Sequence, residues 1–99
     1  MVYSKLNDAS ISIKCIEDTV GPKGGYSFPI SYGIPISAFI VYNEDNVDLY
    51  NGIELIDWYI SPESPNAYSF AIGYAPKDDF TKFDRIPHVT IRIYYIASK

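Results

Sequence analysis

The segment "HVTIRIYYIA" places Val89, Ile91, Ile93, Tyr95 and Ala97 at every second position, with Thr90, Arg92, Tyr94 and Ile96 between them. Successive side chains of a strand point to opposite faces, so a period of two is the mark of a half-buried strand. The same period recurs along the chain. "SISIKCIED" alternates Ile11, Ile13 and Cys15 against Ser12 and Lys14, and "GGYSFPISY" sets Tyr26, Phe28, Ile30 and Tyr32 against Ser27, Pro29 and Ser31. "IELIDWYI" opposes Ile53, Leu55, Asp57 and Tyr59 to Glu54, Ile56, Trp58 and Ile60, and "AYSFAIGYA" carries Tyr68, Phe70, Ile72 and Tyr74 in register. β-branched and aromatic residues dominate every run, which favours pleated surfaces over helices.

Six strands are therefore predicted: Ser10 to Asp18, Tyr26 to Tyr32, Ile36 to Tyr42, Ile53 to Ile60, Ala67 to Ala75, and the closing segment up to Ala97. Between them lie "TVGPKGG", "NEDNVDLYNG", "SPESPN" and "PKDDFTKFDRIP", all rich in turn formers or charge. Short strands so separated predict an all-β fold, an antiparallel six-stranded β-sandwich with two sheets burying their inner faces. Proline cannot donate to a ladder, so Pro29 is expected on an edge strand or at a bulge. Pro35, just after Gly33, is expected at a corner between the second and third strands.

With 99 residues, 47% of them apolar, the chain suffices for one core, so residues 1–99 are read as a single domain with Met1 to Ala9 as a flexible or linker segment. Its N-terminus lacks the apolar segment of a signal peptide, and its longest apolar run, Ile34 to Tyr42, falls well short of the roughly 20 residues of a membrane helix, so no membrane insertion is expected. A net charge of −4 with dispersed Lys and Arg argues against nucleic acid as a partner. The single cysteine, Cys15, lies in register with Ile11 and Ile13 and is expected to be a buried thiol, with an intermolecular disulfide as the alternative.

Catalytic signals are weak. One Cys and one His allow only a Cys15–His88 pair, and the surroundings of both, an apolar strand and a position after proline, suit a structural role better. Zinc needs about four N or S ligands, which the sequence does not supply. "GPKGG" has neither the spacing nor the Lys-Ser/Thr of a phosphate loop. The acidic run Asn43 to Asp48 offers Asp45 and Asp48 to a calcium ion but lacks EF-hand spacing, so a solvated loop is the expectation. No enzyme activity, cofactor or metal is predicted. Phe80 and Phe83, set among charges in the last long loop, either plug an end of the sandwich, the favoured reading, or present a contact surface.

The order of "YSFPISYGIPISAFIVYN", "IDWYISPESPNAYSFAIGYA" and "VTIRIYYIAS" resembles H-type lectin-like domains, which occur in some invertebrate lectins and slime-mould discoidin tails, with similar sandwiches at the receptor-binding tips of bacteriophage tail fibres. The likeness runs from Ser10 to Ser98 and rests on the Phe-Pro strand, the further proline, the Val and Ile run, Phe70, and the Tyr95-Ile96-Ala97 ending. Two features depart from the family: Phe80 and Phe83 stand in the loop where members commonly carry Trp, and Glu54 and Asp57 occupy the fourth strand where lectin members place a sugar-binding Arg.

The resemblance implies a saccharide ligand, a homotrimer, and a site between protomers to which the last long loop contributes. Sugar binding needs an aromatic face for the C–H side of a pyranose and directional polar groups for its hydroxyls. Phe83, Asp84, Arg85 and His88 supply both types in that loop and are the predicted ligand-binding residues; their bland readings are core for Phe83, a surface pair for Asp84 and Arg85, and a turn or strand cap for His88. Ten tyrosines, some outside any single core face, point independently to an interface. The expected function is a carbohydrate-binding, lectin-like module at an extracellular or virion surface, with a non-catalytic assembly subunit as the alternative.

Overall fold

Seven strands form among the residues that the computed structural model describes, 11–42 and 51–98. They are β1 (Ile13–Thr19), β2 (Gly25–Pro29), β3 (Gly33–Val41), β4 (Gly52–Ile60), β5 (Ala67–Pro76), β6 (Asp84–Arg85) and β7 (Thr90–Ala97). The chain is all-β. β1, β7 and β3 build one antiparallel sheet in that order; β2, β5 and β4 build a second, to which β6 adds by pairing with β5. The six expected strands are present with shifted ends, and the seventh is a two-residue pairing inside the connection "PKDDFTKFDRIP".

The two sheets close on each other because each offers an apolar inner face. Phe28, Phe70 and Ile72 of the second sheet meet Ile40, Ile91, Ile93 and Tyr95 of the first in one buried cluster. Phe28 is its hub, with ring centroids 5.1 Å from Tyr95, 5.5 Å from Tyr32 and 6.3 Å from Phe70. Full burial of one such side chain is worth about 1.5–3 kcal/mol, and edge-on aromatic pairs add to it. β7 and β5, whose inward residues are the most deeply buried, are the central strands. β2, which holds Pro29, is an edge strand.

Polar clasps tie the sheets together along both sides. Where β3 and β4 meet, the Glu54 carboxylate accepts the backbone N–H of Ile40 at 3.3 Å and the Tyr42 hydroxyl at 3.0 Å. Where β1 and β2 meet, the Tyr26 hydroxyl donates to Asp18 at 3.0 Å. Burial, and then this bond to a carboxylate, push the Tyr26 phenol up to about 12.

Several expectations are corrected. Cys15 is exposed, not buried. Ile16 lies opposite Ile93, which is wholly buried, so Ile16 turns inward and Cys15, opposite Tyr94, turns outward with Ile11 and Ile13. A one-residue difference in phase decides the face of every side chain on a strand. Pro35 is not a corner: it sits inside β3, buried opposite Tyr95, next to a bulge between Pro35 and Ser37. The corner comes earlier, at Ile30 to Tyr32, where the Tyr32 N–H bonds to the Pro29 carbonyl and Gly33 adopts φ +146°. Phe80 and Phe83 do not plug the sandwich, because both remain exposed, at 62% and 40%. The acidic run Asn43 to Asp48 and the segment Met1 to Ala9 lie outside the described residues.

Candidate functional site: a trough on the outer face of the second sheet

The outward positions of β5 are Ala67, Ser69, Ala71, Gly73 and Ala75, all small, because the large members of "AYSFAIGYA" occupy the inward phase. β2 pairs with β5 so that Ser27 faces Ser69 and Gly25 faces Ala71. Small side chains on two neighbouring strands leave the sheet surface low there. On the other side of β5, Tyr59 is paired with Ser69 and Asp57 with Ala71, so both rise from the same outer face. The result is an open trough of about 480 Å³, floored by Gly25, Ser27, Ser69 and Ala71 and flanked by Tyr59 and Arg85. Its width follows from sheet geometry: two strand spacings, about 10 Å, separate the β4 rim from the β2 side.

Arg85 reaches this face through β6. It lies opposite Gly73, and its Nε and Nη2 donate to the Gly24 carbonyl at 3.3 and 3.2 Å. The same carbonyl accepts the Ile72 N–H at 2.9 Å, and the Ile86 N–H bonds to the Ile72 carbonyl at 2.9 Å, so the guanidinium is moored to the framework of the sheet. Gly24 makes this approach possible: its φ is +73°, and a Cβ there would stand 2.8 Å from the Cβ of Arg85. Tyr59 is 58% exposed and continues a row on the outer face of β4 with Leu55 and Ile53, which are 55% and 45% exposed.

The four residues predicted from the sequence are not gathered at one point. Arg85 faces the trough. Phe83 lies beside it, its ring over Gly73, where a Cβ would collide with it. Asp84, opposite Tyr74, alternates to the other side of β6 and is exposed. His88 stands apart: with φ +62° and its N–H bonded to the Val20 carbonyl at 3.1 Å, it shapes the turn into β7. Asp84 and Arg85 form no surface pair, since the guanidinium is turned to Gly24.

Sequence reasoning missed Tyr59, Ser27 and Ser69. A signal existed for Ser69 alone: in "AYSFAIGYA" the residues between the large ones are uniformly small, which marks a strand with a flat outer side, whereas Ser27 and Tyr59 join it only through strand register. Among the described residues, no group of three His, Cys, Asp or Glu side chains is placed to hold a metal ion. Comparison with known proteins brings no match: no family model, no curated protein and no solved structure is similar to this chain.

Proposed function

We propose that the chain is a non-catalytic carbohydrate-binding module whose site is the trough between Tyr59 and Arg85, acting as the receptor-binding tip of a phage or phage-like fibre that meets glycans at an extracellular or virion surface. One observation carries the reading: an exposed tyrosine stands beside a floor bearing two hydroxyls, Ser27 and Ser69, with a moored guanidinium at the other flank. A pyranose has an apolar C–H face and a polar rim. Tyr59 suits the first, and the serines and Arg85 suit the second. The homotrimer belongs to the same proposal. It is supported by the outer face of the first sheet, where Ile11, Ile13, Ile34 and Ile36 remain 45–74% exposed.

A glycan screen on the intact chain tests the reading. At least one saccharide is expected to bind, and Tyr59→Ala is expected to weaken it about tenfold or more while leaving the fold intact. A blank screen, or binding indifferent to Tyr59→Ala, would overturn it. The exposed isoleucines also favour a second reading, an assembly subunit whose surfaces contact only protein. That reading predicts a stable oligomer with no glycan binding at all.

A further inference from the structure

We infer that the trough takes an acidic saccharide, whose carboxylate is held by Arg85; this rests on the carbohydrate-binding reading and narrows its ligand class. Gly24 occupies only one edge of the guanidinium, taking the Nε–H and one Nη2–H. A guanidinium carries five N–H donors in a planar fork, so the end-on edge formed by Nη1 and the second Nη2–H is left over. That edge offers the parallel donors that a carboxylate meets in bidentate fashion.

No carboxylate fills this role within the described chain. Arg92 is paired with Glu17 at 2.8 Å and Lys82 with Asp79 at 3.8 Å, whereas Arg85 has no acidic partner among the described residues. Asp57, on the outer face of β4, does not line the trough, and its carboxylate accepts the Trp58 N–H at 3.0 Å. The mooring at Gly24 also restricts the rotamers of Arg85 before any ligand arrives, which lowers the ordering cost of binding. A sugar ring stacked on Tyr59 and directing an acid group across Ser69 toward Gly25 would meet a cation already in place.

The test uses matched probes on the intact chain by titration calorimetry: sialyllactose against lactose, and a galacturonic acid trisaccharide against its carboxyl-reduced counterpart. One acidic member is expected to bind about tenfold or more tightly than its neutral match, and the pair that does so identifies a sialic or a uronic source. Arg85→Gln is expected to abolish that preference, and added salt to weaken the acidic member alone. Equal affinity within both pairs overturns the acidic assignment and leaves the carbohydrate reading standing. Silence from every probe also overturns it, and a blank broad screen takes the underlying reading with it. Because Arg85 helps hold Gly24, the variant is checked by circular dichroism; if it unfolds, the matched probes on the unaltered chain decide.

Discussion

At Gly33 the backbone adopts φ +146°, and a Cβ would overlap the Ile96 carbonyl of the neighbouring strand. Only hydrogen fits there, so Gly33→Ala combines backbone strain with a clash that neither strand relieves cheaply. It is expected to cost about 3 kcal/mol or more, read as a shift in the urea midpoint. Tyr26 makes a different prediction. Its phenol rises from 10.0 in the unfolded chain to about 12 in the folded one, so the folded state holds the proton more tightly. The stability this contributes is intact below pH 10 and is lost as the pH climbs through about 12. Tyr26→Phe, which cannot ionise, should lose less stability than the unaltered chain over that interval. Melting temperatures of the two proteins, compared from neutral to strongly alkaline pH, would show no divergence if the assignment were wrong.

Among the elements, β7 and β1 differ in how much their own residues reveal. Along 89–96 one phase holds Val89, Ile91, Ile93 and Tyr95 and the other Thr90, Arg92, Tyr94 and Ile96; the polar pair that opens the second phase marks the inner face locally, and all four of the first set are buried. In β1 the phase of Ile13 and Cys15 looks as apolar as that of Ile16, and only the pairing of Ile16 with Ile93 settles the matter. The consequence is measurable on the isolated protomer: there the Cys15 thiol, exposed on the outer face, should react with a water-soluble disulfide reagent nearly as fast as a small thiol. Reaction of the protomer only after denaturation would contradict the β1 register, whereas protection confined to an oligomer would report a covered outer face. For β2 the prediction runs the other way. Phe28 contributes 0% of its surface to solvent and touches rings on both sheets, so Phe28→Ala should lose about 3–5 kcal/mol in denaturant unfolding.

For the molecule as a whole, the unresolved demand is on the outer face of the first sheet. Pairing aligns Ile13, Ile96 and Ile34 in one row across β1, β7 and β3, and the flanking charges Glu17 and Arg92 neutralise each other at 2.8 Å. A face with little net charge and this much apolar surface suits contact with further copies of the chain. If the proposed trimer uses it, light scattering should give three protomer masses, and Ile34→Asp should give one with an unchanged circular dichroism spectrum. A monomeric parent chain would remove the trimer from the proposal. What the sequence determined by itself was local: the period of two, the absence of a helical period, the turn-rich breaks and the inner face of β7, because alternation and turn chemistry act between neighbours in the chain. Tertiary structure alone decided the exposure of Cys15, the place of Pro35 inside β3, and the trough. Ser27, Tyr59, Ser69 and Arg85 come from four different strands, and only hydrogen-bonded register, a long-range property, brings them onto one face.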